Sequence, residues 1–190
     1  MDTQRFVAKI ARIAALCVLG VFMSSVTAFS APQPGDILPK VKLQKPSKSE
    51  ELKYLGLSGS GSFALTDISA KIVIVEFYSM YCPYCQAEAP NTVKLYGNIR
   101  DDAALVGTVK VIGVGVGNSD YEVDLFRNKY AIPFPLFSDE DFTMVEALGL
   151  QYTPHFIVIR IDEKGKAHVV YSQSGSIGDP REFLNKITHP

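Results

Sequence analysis

Two stretches of the chain are apolar at almost every position and are the right length for buried β-strands. Ile72 to Phe77 is interrupted only by Glu76, and Val109 to Val116 repeats the pattern. Short, continuous apolar runs of this kind indicate strands that are covered on both faces. Two further strands are predicted at His155 to Ile161 and His168 to Gln173, because the polar turn between them is a hairpin signal.

Helical patterns alternate with these strands. A helix is predicted from Pro83 to about Tyr96, since proline in a first turn lacks only an N–H that would be unpaired anyway. A capping box at Ser119 to Glu122 predicts a helix through about Lys129. A short helix is predicted from Asp141, closed by Gly149. The N-cap signal at Asp179 to Glu182 predicts the start of a C-terminal helix. This order predicts an α/β fold with a mixed central sheet flanked by helices.

The N-terminal part divides into two segments of different character. In residues 1–30 a basic start, an apolar stretch and small residues follow one another, which is typical of a secretory signal cleaved after Ala28 or Ser30. The apolar stretch is shorter than the ~20 residues of a full membrane span, although an uncleaved single-helix anchor is the alternative. Cys17 leaves with a cleaved signal.

Residues 31–62 are rich in Pro, Ser, Gly and Lys and predict a loosely ordered N-terminal extension. Within it, Asp36 to Leu43 could pair as an edge strand, and Phe63 to Leu65 is a second short candidate. Residues 63–190 then form the predicted globular domain. Its length is enough for a hydrophobic core of its own.

Composition narrows the classes of function. The 190-residue chain has a formal charge of −1 and no Lys/Arg run, which argues against a nucleic-acid partner. Beyond the signal, Cys82 and Cys85 are the only cysteines. An exported chain held together by disulfides would carry more cysteines at wider spacing. We therefore interpret this pair as chemical rather than structural.

The pair stands where a predicted strand becomes a helix, in the segment Cys82-Pro83-Tyr84-Cys85. A thiol at a helix N-terminus faces unpaired backbone N–H groups and the positive end of the helix dipole. Both favour the thiolate, which is the form that attacks a disulfide. A second cysteine one turn further on can close a disulfide with the first, so the segment predicts a redox site.

At these residues the sequence resembles the thioredoxin superfamily, and within it the exported TlpA/ResA-like redoxins related to AhpC/TSA proteins. The resemblance rests on the Cys-Pro-Tyr-Cys segment, on Glu76 six residues before Cys82, and on Thr153-Pro154 just before a strand. The run Cys85 to Pro90 also matches a C-x-x-E-x-P pattern of TlpA-like proteins. Residues 111–142 resemble the helical insertion of this group. Many TlpA-like members have Asn where this chain has Glu76.

The resemblance implies unequal roles for the two sulfurs. Cys82 attacks the substrate disulfide as an exposed thiolate, and Cys85 lies deeper and resolves the mixed disulfide. Glu76 is expected to take the proton of Cys85, since burial raises the pKa of a carboxyl group. The competing interpretation is that Glu76, near a strand end, points to solvent.

The resemblance also implies a cis peptide bond at Thr153-Pro154, with the Thr153 backbone free to pair with an extended substrate segment. Pro83 and Tyr84 complete the expected substrate-binding set. His155 is interpreted as a satisfied strand residue and is left out of the catalytic set. An aromatic group around the site could form either a substrate-binding rim or part of the core: Tyr78, Tyr81, Tyr84 and Phe156.

The predicted function is an extracytoplasmic thiol-disulfide oxidoreductase that acts on protein disulfides, as a reductant fed by a membrane or exported donor. No cofactor and no resident metal are expected. A thiol peroxidase is the first alternative, although Val75 stands where such enzymes have Pro. A Cu(I)-binding carrier is the second, because Met80 to Cys85 also fits an M-x-C-x-x-C pattern of soft ligands.

Overall fold

The structure is a computed structural model, and it describes residues 30–189. The predicted signal or anchor segment, with Cys17, lies outside these residues except for Ser30. Over residues 30–189, none of the helices is both long enough and apolar enough to cross a membrane.

The described elements alternate much as the sequence predicts. The strands are β1 (Lys42–Gln44), β2 (Ser62–Ala64), β3 (Ile72–Tyr78), β4 (Val109–Val116), β5 (Leu136–Asp139), β6 (His155–Ile161) and β7 (Ala167–Ser174). The helices are α1 (Ser49–Leu55), α2 (Pro83–Arg100), α3 (Asp120–Tyr130), α4 (Thr143–Ala147) and α5 (Pro180–Thr188). Helix α2 continues through Pro90 and is longer than predicted, whereas α1 was not predicted at all.

A five-stranded mixed sheet organises the domain, with the strand order β5-β4-β3-β6-β7. The central strand β3 runs parallel to β4 and antiparallel to β6. Phe77, near the end of β3, lies opposite His155, the first residue of β6. The chain leaving β3 towards Cys82 therefore meets the chain that enters β6 through Pro154, at one edge of the sheet.

Successive side chains of β3 point to opposite faces of the sheet. Val73, Val75 and Phe77 pack into one core with the N-terminal segment and α4. Ile72, Ile74 and Tyr78 pack into the other core with residues of α2, α3 and α5. By this alternation Glu76 belongs to the face covered by α2, the helix that contains Cys85 and is capped by Cys82.

The loose order predicted for residues 31–62 is wrong. Its apolar residues pack into the same core as Val73 and Val75, and its buried members are Leu38, Val41, Leu43 and Leu55. The predicted edge strand is split into two pairings. Gly35 N donates to Val169 O at 2.9 Å and Leu38 N donates to Ala167 O at 2.8 Å, while β1 pairs with β2.

Helix α1 closes an open stretch of the sheet through Tyr54. Strand β5 pairs with β4 only from Gly113 onwards. The Val111 N–H instead donates to the Tyr54 hydroxyl at 2.9 Å, and that hydroxyl lies 3.4 Å from Val111 O. A tyrosine side chain thus replaces the missing strand partner, as buried backbone groups require.

Candidate active site

The two cysteines occupy unequal positions at the start of α2. Cys82 is the N-cap residue, with an extended backbone, and Pro83 opens the first turn. Cys82 is half-buried, Cys85 is fully buried, and both are free thiols. The exposed and deep positions expected for the attacking and resolving sulfurs are therefore present.

The environment of Cys82 favours its thiolate. Partial burial raises the pKa of Cys82, but hydrogen bonds from the Cys85 thiol, from the Cys85 and Tyr84 backbones and from Thr153 outweigh burial and lower the pKa. In its protonated form, the Cys82 thiol donates to Thr153 O at 3.3 Å. Lowering the pKa enlarges the thiolate fraction, which is the reactive one.

Cys85 has the opposite character. Burial raises its pKa to about 12, although a hydrogen bond with the Ser79 backbone offsets part of this effect. At neutral pH Cys85 is therefore a thiol, and it has to lose a proton before it can attack Cys82. A proton acceptor is needed on its side of the sheet.

Glu76 is buried on that side, with 2% of its surface exposed, so the interpretation that it points to solvent is wrong. Burial and, to a smaller extent, the charge of Glu88 raise the pKa of Glu76 to about 8, although a hydrogen bond with Thr92 opposes them. Glu76 Oε1 has no hydrogen-bond partner in the described protein. A buried carboxylate with a free oxygen and a pKa near neutrality has the properties of a general base.

Glu88 is a second buried carboxylate, which the sequence reasoning did not assign to the site. It follows Cys85 by three residues and therefore lies on the same side of α2. Its Oε1 accepts from Ile177 N at 3.0 Å and its Oε2 from Asn91 Nδ2 at 3.3 Å. The sequence signal that could have identified Glu88 is the C-x-x-E-x-P pattern, which contains it. The structure adds that Glu88 is buried.

The Thr153-Pro154 peptide bond is cis, as predicted. Pro154 O accepts from Gly175 N at 2.8 Å, which ties the turn to the end of β7. The contact between Cys82 Sγ and Thr153 O brings this turn directly to the Cys82 sulfur. Residues 71 positions apart in the chain thus form one site.

His155 is a satisfied strand residue, as interpreted from the sequence. Its Nδ1 lies 2.9 Å from Ser174 Oγ and its Nε2 lies 3.0 Å from Ser172 Oγ. Burial lowers its pKa, which keeps the ring neutral.

Of the four aromatic residues near the site, two belong to the core and two are exposed, as a substrate-binding rim would be. Tyr78 and Phe156 are fully buried and belong to the core. Tyr81 and Tyr84 are 65% and 77% exposed on either side of Cys82. Tyr152, which sequence reasoning had not singled out, is also exposed and directly precedes Thr153.

The described residues hold no cluster of three or more His, Cys, Asp or Glu side chains that could bind a metal ion. Cys82 and Cys85 supply two sulfur atoms, and Glu76 and Glu88 are buried within the fold.

Comparison with known proteins agrees with this geometry. The model of the AhpC/TSA family matches residues 34–175. The chain belongs to the AhpC/TSA family. Among curated members of related sequence, the thiol-disulfide oxidoreductase ResA of Halalkalibacterium halodurans is 28% identical over 126 residues, 66% of this chain and 68% of that protein. ResA of Bacillus anthracis is 23% identical over 171 residues, 90% of this chain and 94% of that protein.

Solved structures establish the fold of this AhpC/TSA member. The thioredoxin domain of a thiol-disulfide oxidoreductase from Bacteroides vulgatus has a TM-score of 0.60 at 17% identity, covering 83% of this chain and 99% of that one. StoA from Bacillus subtilis has a TM-score of 0.54 at 19% identity, covering 83% and 100%. The fold is thioredoxin-like, as the resemblance implies. Together with the ResA relatives, it identifies the chain as a thioredoxin-like thiol-disulfide oxidoreductase.

Proposed function

We propose that this enzyme works outside the cytoplasm and reduces disulfides of protein substrates through Cys82 and Cys85. The observation that carries the proposal is that the pKa values of the two sulfurs are shifted in opposite directions. The pKa of Cys82 is lowered and that of Cys85 is raised to about 12. Cys82 is therefore the more readily ionised sulfur, and Cys85 needs a base to remove its proton.

The proposed reaction has two exchanges. The Cys82 thiolate attacks one sulfur of the substrate disulfide, forms a mixed disulfide and releases the other substrate sulfur, which takes up a proton. Cys85 then gives its proton to ionised Glu76 and attacks Cys82 Sγ, which releases the second substrate sulfur as a thiolate that takes up a proton from Glu76 or solvent. The substrate gains two electrons, and the enzyme is left with a Cys82–Cys85 disulfide.

Substrate binding is assigned to the two turns that meet at Cys82. Thr153 and Pro154 place their backbone beside the Cys82 sulfur, where a substrate segment can pair with it as an added strand. Pro83 and Tyr84 form the opposite side. The exposed rings of Tyr81, Tyr84 and Tyr152 favour a polypeptide, because aromatic side chains are enriched where proteins bind one another.

The reducing direction follows from how the thiolate is stabilised. Strong oxidants of this kind owe their potential to a stabilised reduced form. Here hydrogen bonds are what lower the pKa of Cys82. None of these hydrogen-bond partners of Cys82 is positively charged. The thiolate of the reduced enzyme is therefore stabilised less than in a strong oxidant, which favours electron transfer from the enzyme to the substrate.

The proposed setting comes from the predicted signal or anchor at residues 1–30, with residues 31–62 as an N-terminal extension of the domain at 63–190. An enzyme outside the cytoplasm cannot draw on cytosolic thiols. It requires a membrane or exported dithiol donor that reduces the Cys82–Cys85 disulfide after each turnover.

Two measurements test this function. Equilibration with redox buffers should give a Cys82–Cys85 potential near that of thioredoxin, about −270 mV, and a value near about −120 mV would overturn the reducing direction. The reduced protein should also reduce insulin faster than it consumes hydrogen peroxide. Family membership makes the thiol peroxidase the second candidate, and the opposite order of rates would favour it.

A further inference from the structure

The three residues before Cys82, which we call the redox loop (Ser79–Tyr81), are held by side chains from elsewhere in the chain. The connection between β4 and α3, residues 117–119, and the first turn of α3 each contact this loop at one point. Neither contact involves a cysteine. Both lie within two residues of the attacking sulfur.

Asn118 makes the first contact. It is a fully buried polar residue, and its Oδ1 accepts from Met80 N at 2.9 Å. Its own Nδ2 donates to Gly117 O at 3.1 Å, which fixes the orientation of the amide. On the other side of the same residue, Met80 O accepts from Gln86 Nε2 at 2.8 Å. Both backbone polar groups of Met80 are thus bound by side chains.

Glu122 makes the second contact. Its Oε1 accepts from the Tyr81 hydroxyl. Its Oε2 accepts from Ser119 N at 2.8 Å and from Ser119 Oγ at 2.9 Å, within the capping box of α3. The carboxylate is therefore held by the helix start before it meets the Tyr81 hydroxyl. This fixes the aromatic ring that flanks Cys82.

The connection at residues 117–119 is held in place by contacts of Gly117. Gly117 N donates to Asp139 O at 2.9 Å, and Gly117 has a φ of 61°. A Cβ at that position would lie 2.6 Å from the ring of Phe142, so glycine is required there. A rigid support beside the redox loop is what a positioning role needs.

The loop transmits this support to the sulfur through the backbone of Cys82. Cys82 N donates to Ser79 O, and Cys82 O accepts from Gln86 N, both at 3.1 Å. A change in the path of residues 79–81 would therefore move Cys82 relative to the first N–H groups of α2. Those N–H groups stabilise a thiolate only while the sulfur stays close to them.

We propose that Asn118 and Glu122 are positioning residues, which hold the redox loop so that the Cys82 sulfur stays at the N-terminus of α2. The inference rests on the proposed function, in which Cys82 is the attacking thiol. Neither residue touches the substrate or the reacting atoms. Their effect is on the reactivity of Cys82.

The test measures the rate of Cys82 alkylation by iodoacetamide against pH in the reduced full chain, with peptide mass spectrometry to separate Cys82 from Cys85 and Cys17. In Asn118→Ala and Glu122→Ala the titration midpoint should move to higher pH, and alkylation at pH 7 should slow by about threefold to tenfold, the range of one lost hydrogen bond. Glu122→Gln keeps an oxygen that accepts from Ser119 N and gains an amide N–H that can donate to the Tyr81 hydroxyl, so this variant should stay within about twofold of the wild type. The matched control is Asn128→Ala on the exposed side of α3, which should change nothing.

The proposal is overturned if folded Asn118→Ala and Glu122→Ala keep the wild-type midpoint, or if Glu122→Gln slows as much as Glu122→Ala. If Asn118→Ala does not fold, the comparison of Glu122→Ala with Glu122→Gln decides, because Glu122 is less buried than Asn118 and its substitution is less disruptive. The readout is independent of protein substrates. A wild-type chain that fails to reduce insulin would refute the proposed function, whatever these variants show.

Discussion

Glu76 is the residue on which the pH dependence of the enzyme should turn. Burial raises its pKa to about 8, while the pKa of Cys85 rises to about 12. Only ionised Glu76 can accept the Cys85 proton, so the resolution step should accelerate as pH rises through about 8. The attack by Cys82 does not need this base.

The variant Glu76→Gln should therefore slow the release of substrate from the mixed disulfide and remove the rate increase near pH 8. We expect a loss of about 10²-fold or more in that step, the usual contribution of a general base. Stopped-flow kinetics of the resolution step between pH 6 and pH 9 measures it. Unchanged turnover at neutral pH would show that Glu76 is not the base.

The same substitution has a consequence for stability. The folded protein keeps a proton on Glu76 up to about pH 8, whereas the ordinary pKa is 4.5. The stabilisation from this group is full below pH 4.5 and is lost as pH rises towards 8, at up to about 1.4 kcal/mol per pH unit. In urea unfolding, Glu76→Gln should gain stability relative to the wild type between pH 5 and pH 8. The exposed Glu140→Gln should show no such trend.

At the residue scale, the sequence predicted the placement of the candidate site residues where the signal was local or carried by the family pattern, while their roles stay predictions. Cys82, Cys85, Glu76 and Thr153-Pro154 stand at fixed offsets from strand ends, and the structure brings them to one edge of the sheet. Glu88 received no role because its partner Ile177 lies 89 positions away. The support from Asn118 was missed for the same reason, since no pattern connects it to Met80.

At the scale of elements, nearly continuous apolar runs predicted β3 and β4, and the hairpin signal predicted β6, almost to the residue, because a strand buried on both faces leaves few polar interruptions. Helix α1 was missed because only Tyr54 and Leu55 of its seven residues provide apolar side chains that face the core, in a segment whose composition suggested a loop. Its order comes from tertiary packing, which composition does not report.

Tyr54 offers a test of that packing. In Tyr54→Phe the Val111 N–H loses its acceptor at an unpaired part of β4, and a buried donor without a partner costs about 1–3 kcal/mol. The free energy of unfolding in urea should fall by that amount. Tyr121→Phe, at an exposed tyrosine of α3, is the control and should be neutral. Equal stability of the two variants would mean that the hydroxyl of Tyr54 does not secure the sheet.

At the scale of the whole molecule, residues of the N-terminal segment and of the sheet pack into one core. The boundary at residue 62 between an N-terminal extension and the domain stays a prediction. Leu55 is fully buried in that core. Leu55→Ala should lower the free energy of unfolding by about 2–5 kcal/mol, the range for a large-to-small core substitution. It should leave a single cooperative transition. The exposed Leu125→Ala is the control, and a separate early transition in Leu55→Ala would show that the extension folds on its own.

The central claim is that two unequal sulfurs divide the reaction between them, and trapping of the mixed disulfide tests it most directly. The Cys85→Ser variant, offered a disulfide-containing protein such as oxidised insulin, should accumulate a covalent adduct on Cys82 that non-reducing mass spectrometry identifies. The Cys82→Ser variant should accumulate none, because burial keeps Cys85 protonated. Equal adducts in both variants, or an adduct through Cys85 alone, would contradict the division of roles.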